Sequence, residues 1–270
     1  MYWKPFAMIR ILIFLFITSL AACQQKPGTT GTETPAEQTA SNEPGNPPAP
    51  GFNQAASDQE AIALADRVME SMGGRKAWDN TRYIAWNFFG FRNLYWDKKQ
   101  HMVRVEEPRK NIEVILNLNT REGEARVNGT RITEPDSLAK LIDYGYKAWV
   151  NDSYWLVMPF KLKDSGVTLH YLGKDTAVAS APREVLQLTF SEVGVTPQNK
   201  YHVYVNPETN MVSHWAYYRE ASQEEPAFVM PWNDYQQYGG IMLSGNRGER
   251  KLSEIKVMDA PPEGTFSFNG

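Results

Sequence analysis

Cysteine is almost absent: Cys23 is the only one in 270 residues. No internal disulfide can form, and no CxxC pair exists for metal or redox chemistry. Histidine is scarce too, at four residues. Neither sign of charge dominates: 28 Lys and Arg stand against 31 Asp and Glu, spread along the chain for a net −3. That balance excludes the basic face or tail of a typical nucleic-acid binder. The sequence holds no GxSxG elbow, HExxH, Walker loop or GxGxxG, so the commonest hydrolytic and nucleotide-binding signatures are missing. Long apolar runs are also missing, apart from Ile11 to Leu20. As a helix that run measures ~15 Å, about half of a ~30 Å hydrocarbon core, too short for a stable transmembrane anchor.

What is present begins with that run. Met1 to Arg10 carries Lys4 and Arg10 and no acid, and Ala21, Ala22 and Cys23 follow the apolar stretch. A basic start, a short apolar core and small residues describe a secretory signal. Leu20-Ala21-Ala22-Cys23 resembles the bacterial lipobox, Leu-(Ala/Ser)-(Gly/Ala)-Cys. The resemblance implies diacylation of Cys23, cleavage before it, and attachment to a membrane by two or three acyl chains, which hold far better than one. Removing residues 1–22 as signal peptide also removes Lys4 and Arg10, leaving the rest more acidic. The acyl anchor, rather than a basic patch, is thus the expected membrane contact. Gln24 to Ser57 is rich in Pro, Gly, Thr, Glu, Gln and Ala, with Phe52 its only bulky apolar residue. Residues 23–57 therefore read as a lipidated Cys and a disordered tether with an r.m.s. span of roughly 30 Å.

Residues 58–270 read as one mostly antiparallel domain. Asp58 is placed to cap a helix carrying Ile62, Leu64, Ala65, Val68, Met69 and Met72, which Gly73-Gly74 ends. A strand-like run, Tyr83 to Phe91, follows. His101 to Glu106 and Asn111 to Leu118 alternate in hydropathy, and Asn128-Gly129 marks a tight hairpin. Thr133-Glu134-Pro135-Asp136 opens a second helix, with Leu138, Leu141, Ile142, Ala148 and Trp149 on its apolar stripe. Beyond an aromatic loop, Tyr154 to Leu162, strands are expected at 167–172, 184–190, 200–205, 211–218, 228–235 and 248–258. The total is about ten strands and two principal helices, with no βαβ rhythm.

Candidate chemistry is thin. If Asn206 to Asn210 is a hairpin pairing Val205 with Met211, His202 and His214 face each other. Zinc needs a third protein ligand, and none is expected, so neither metal nor cofactor is assigned. Asp143, Asp152, Asp164 and Asp175 show no pairing that suggests acid–base work and read as solvated loop acids, so no catalytic residue is assigned.

The aromatic runs carry the functional content. Large apolar groups occupy both faces of Tyr83 to Phe91, where a half-solvated sheet would alternate with polar residues. Covering both faces takes helices on one side and something else on the other: another sheet region, a partner or an apolar ligand. A cavity lined by Trp86, Phe88, Trp149, Trp155 and Met158 would hold an acyl chain. A single filled core is the alternative use of the same residues.

The order of elements resembles the LolA/LolB-type fold, an unclosed β-barrel covered by helices. The stretches that carry the likeness are Tyr201 to Val212, a strand–hairpin–strand with Asn206 where Asp is usual, and Pro261 to Phe268, similar to a closing Pro-x-x-x-Phe-x-Phe strand. The resemblance implies an α+β half-open barrel around an apolar cavity, in a cell-envelope lipoprotein of the outer membrane rather than the inner. It would be a non-catalytic carrier or sensor of a lipid or acyl chain, with the membrane as partner through Cys23. A structural lipoprotein with a closed core and an envelope hydrolase without a recognised motif are the other readings.

Overall fold

The computed structural model describes residues 45–191 and 194–268. Cys23, the signal segment and the first part of the tether lie outside them. The architecture is α+β, with antiparallel strands in two sheets and one long helix. Helix α1 (Gln59–Ser71) and the short α2 (Gly74–Asn80) precede strands β1 (Tyr83–Phe88), β2 (Arg92–Asp97), β3 (Met102–Glu107), β4 (Ile112–Asn117), β5 (Gly123–Val127) and β6 (Thr130–Arg131). Helix α3 (Pro135–Val157) then leads to β7 (Val167–Asp175), β8 (Arg183–Phe190), β9 (Lys200–Val205), β10 (Val212–Tyr218), β11 (Phe228–Pro231), β12 (Asn233–Tyr238), β13 (Ile241–Arg247) and β14 (Arg250–Met258). The expected half-barrel of about ten strands is corrected by this arrangement. Nine strands form one sheet in the order β12-β13-β14-β1-β2-β3-β4-β5-β6, five form another in the order β11-β10-β9-β8-β7, and neither closes.

Alternation decides which face each strand buries. In the nine-stranded sheet Ile84, Trp86, Leu94, Trp96, Val103, Val105, Val114, Leu116 and Ala125 join one apolar core with α1 and α3. Helix α3 starts as expected, with Glu134 as its cap: the carboxylate accepts from the Asp136 and Ser137 amides at 3.0 and 2.7 Å. Gly145 lets it settle on the sheet, since a Cβ there would lie 2.8 Å from Val114 Cγ1. Arg92 pins it from below with two bonds to the fully buried Asp152, at 2.6 and 2.8 Å. Asp152 is therefore no solvated loop acid: it and Asp143 both lie on α3.

Several boundaries differ from expectation for identifiable reasons. The strand expected over 83–91 ends at Phe88, because Phe89 (φ 53°) and Gly90 (φ 73°) turn the chain. The expected aromatic loop after α3 is its last turn continued by a 3₁₀ turn, Met158–Lys161. A bulge between Val212 and His214 shifts the β9–β10 register, so His202 lies opposite Ala216 and His214 opposite Tyr204. The two histidines do not face each other. His202 instead lies between Tyr218 Oη at 3.0 Å and Gln187 Oε1 at 3.3 Å, and burial with nearby Lys200 pushes its pKa down to about 4.

The two segments read as tether and closing strand also behave otherwise. Ala49 and Asn53 amides bond to the Lys163 and Val167 carbonyls, Asn46 is buried, and Phe52 packs against the core. The folded unit therefore begins ahead of Asp58. Pro261 to Phe268 is a run of turns rather than a strand. Phe268 is 5% exposed and sits near the guanidiniums of Arg104 and Arg126, 5.7 and 4.3 Å from its ring centroid. The Thr265 carbonyl accepts one bond from Arg104, and Thr265 contacts Tyr83, so this segment lies against the second face of the large sheet. Tyr83, on the second face of β1, is thus covered by the chain itself, whereas Phe91, beyond the strand's end, is exposed.

Candidate functional site

The five-stranded sheet presents a different inner face. Phe190 on β8, Tyr201 on β9, Trp215 and Tyr217 on β10 and Phe228 on β11 share one side, as the pairs Leu188↔Tyr201, Tyr217↔Tyr201 and Tyr217↔Phe228 require. The C-terminal half of α3 brings Trp149, Tyr154 and Trp155 to the same place. Between them lies a cleft of about 500 Å³, completed by Lys147, Asn151, Ser153, Lys161, Asp164, Thr196, Val195 and Asn199.

The rings are ordered against one another. Tyr201 and Trp215 stack at 5.1 Å, Tyr217 and Phe228 at 5.0 Å, and Trp155 meets Trp215 edge-on at 4.7 Å. Burial dominates the electrostatics here, pushing the Tyr154 and Tyr201 phenols well above the usual tyrosine range. Both stay neutral at any ordinary pH. The ionised groups are Lys147, Lys161 and Asp164, with Lys161 paired to Asp164 and Lys147 to Asp143.

A buried cation fixes the wall. Arg247 is 1% exposed and, among the described residues, has no carboxylate partner. It donates to the Trp155 carbonyl at 2.6 Å, the Asn246 carbonyl at 2.7 Å and the Ser244 carbonyl at 3.0 Å, and its guanidinium lies 3.4 Å from the Trp232 ring centroid. Desolvation lowers its pKa to about 9, which leaves it charged at neutral pH. Positive charge at the C-terminal carbonyls of α3 complements the helix dipole and holds Trp155 in position.

Of the five residues expected to line a cavity, the structure brings Trp149 and Trp155 to the cleft. Trp86, Phe88 and Met158 are instead closed into the core, at 2%, 6% and 0% exposure. Phe88 lies behind the cleft wall, its centroid 6.3 Å from that of Trp155. The sequence reading missed Phe190, Tyr201, Trp215, Tyr217 and Phe228. Their alternation along β9 and β10 was visible, but their convergence on α3 depends on tertiary pairing. Among the described residues no group of three His, Cys, Asp or Glu side chains is placed to hold a metal ion, and no helix is long and apolar enough to cross a membrane.

No family model matches the sequence, and comparison with curated proteins gives no match. Solved structures do align with it at low similarity. A DUF1329 family protein from Desulfovibrio piger aligns over 77% of this chain and 97% of its own, with 11% identity and a TM-score of 0.42. A Vibrio parahaemolyticus domain assigned to outer membrane lipoprotein sorting aligns over 77% and 96%, with 9% identity and the same TM-score of 0.42. MucB aligns over 78% and 63%, with 15% identity and a TM-score of 0.26.

Proposed function

We propose that this chain is a bacterial envelope lipoprotein, anchored by acylated Cys23 in the outer membrane rather than the inner. It binds an apolar ligand, a lipid or acyl chain, in the cleft beneath α3 and acts as a carrier or sensor without catalysing a reaction. One observation carries the reading: a cleft of about 500 Å³ with eight aromatic rings among its lining residues, within the ~300–1,000 Å³ typical of ligand sites. The gross energy is adequate. Twelve buried methylenes at ~0.8 kcal/mol each contribute about 10 kcal/mol, and micromolar affinity needs about 8 kcal/mol. A preformed wall, held by Arg247 on Trp155, limits the ordering cost on binding.

Trp149, Trp155 and Trp215 supply the readout. Adding laurate to the delipidated chain should change tryptophan emission saturably. No change up to ~100 micromolar, well above the affinity expected here, would return the protein to the structural reading. The anchor has its own check: Cys23→Ala should abolish incorporation of labelled palmitate, and label retained on that variant removes the lipobox assignment.

A further inference from the structure

The nine-stranded sheet turns back at one end through three neighbouring connections, residues 89–91, 108–111 and 248–250. The pairings Phe88↔Leu252, Phe88↔Arg92, Asn93↔Glu106 and Glu107↔Ile112 set them side by side. Phe91 stands out there. At 45% exposure it is the only exposed aromatic side chain among the described residues. Its neighbour Phe89 has a use within the fold, because its ring packs on those of Phe88 and Trp155, with centroids 4.2 and 5.2 Å away. That packing offsets a left-handed φ of 53°, which a bulky side chain rarely adopts. Phe91 lies outside the core, and the group over its ring is the Arg109 guanidinium, 4.8 Å from the centroid.

Charge supplies the second observation. The three connections carry Arg109, Lys110 and Arg250, all exposed, against one exposed acid, Glu249. The chain as a whole has a net charge of −3, so this local excess runs against its composition. Lys110 pairs with Glu107 at 3.0 Å, although Glu107 is itself buried. Among the described residues Arg109 and Arg250 have no carboxylate partner; each has a ring instead, Arg250 lying 5.7 Å from the Phe89 centroid. Their charges are therefore free to meet an anion outside the protein.

We propose that this end of the large sheet rests on an anionic lipid surface, with the Phe91 ring among the headgroups and Arg109, Lys110 and Arg250 on lipid phosphates. A ring beside cations suits that boundary, and each cation near an anionic leaflet adds to the attraction. About ten residues make the patch, fewer than the ~20–30 that a stable protein interface takes from each side. A lipid surface needs no matching shape. The contact requires neither the acyl anchor nor an occupied cleft, so it stands or falls apart from those readings.

Phe91→Trp adds one tryptophan to the eight present and keeps an interfacial ring. The purified full chain, variant or parent, is reconstituted with vesicles of acyl-brominated phosphatidylcholine, alone or mixed with phosphatidylglycerol at about two to one. Subtracting parent from variant emission isolates position 91, and bromine quenches it only within the bilayer. That emission should be quenched in the anionic vesicles and stay bright in phosphatidylcholine alone. It should recover at ~1 M salt, where charges are screened beyond ~3 Å. Adding Arg109→Gln should weaken the contact about fivefold, the share of one cation at such a surface, read as a higher phosphatidylglycerol fraction at half-quenching. Equal quenching in both vesicles overturns the charge-selected contact. Bright emission in both overturns the lipid surface as partner and hands the patch to a protein. If thermal melts show that Phe91→Trp does not fold, Lys110→Trp on the adjoining connection is read in the same way.

Discussion

Helix α3 meets two sheets and treats them differently. Over the nine-stranded sheet its small residues Gly145 and Ala148 bring the backbone down, and the opposing side chains close without space. Over the five-stranded sheet the same helix carries Tyr154 and Trp155, and the facing strands carry Phe190, Tyr201, Trp215, Tyr217 and Phe228. Large rings on both partners hold the surfaces apart at the rim, and a cleft remains. Aromatic content is thus no guide to a cavity. The size of the residue opposite decides whether rings fill a core or wall a site.

The sharpest way to break this contrast is to truncate one ring on each side. Trp86→Ala, in the filled core, should cost about 3–5 kcal/mol in denaturant unfolding, the usual range for removing a large buried ring. Tyr217→Ala, half-buried at the cleft, should cost about 1 kcal/mol. Equal costs would mean that the cleft is a core in disguise. Next in size is Gly145→Ala. Its new Cβ would meet Val114 at 2.8 Å, and overpacking of this kind costs about 1–3 kcal/mol. A neutral result would show that α3 is free to lift, and that its seat on the large sheet is not set by contact.

A last expectation concerns pH dependence, and its group sits on the outer face of the small sheet. Burial lowers the folded pKa of His202 to about 4, below the ordinary ~6.5. Between those values the unfolded chain binds the extra proton, so stability falls as pH drops from about 6.5 to about 4 and is unaffected above that window. His202→Gln should flatten the melting temperature across that range relative to the parent chain. Matching slopes would mean that this histidine is solvated when folded.

Local signals in the sequence survive in the structure where they act locally. Asn128-Gly129 makes the tight turn with φ of 53° and 76°, as a twisted two-residue hairpin demands. The start of α3 was legible from Glu134-Pro135-Asp136, and α1 from its period. What stayed hidden depends on distance along the chain. Nothing local says that Asn46 to Ser57 docks through backbone bonds to Lys163 and Val167, since its composition is that of a linker. A single bulge after Val212 was enough to separate His202 from His214. β13 (Ile241–Arg247) escaped because Gly239-Gly240 and the polar Ser244 to Arg247 look like a loop, although Ser244 and Arg247 are buried. For the cleft, Trp149 was legible on the second helix and Trp155 in the apolar run after it, whereas the rings of the sheet arrive from four strands, β8 to β11, and needed the pairing.

One detail of the large sheet bears on timing. β1 pairs with β2 on one side and with β14 on the other, placing Tyr83 opposite Met258. The first strand made therefore waits for almost the last, and closing so long a loop costs chain entropy before any contact repays it. High contact order of this kind slows folding. While it waits, β1 shows an open edge, and Tyr83 on its second face lacks the cover of Thr265. Until β14 arrives the principal sheet stays incomplete, and the first strand offers its unpaired backbone groups to any passing edge.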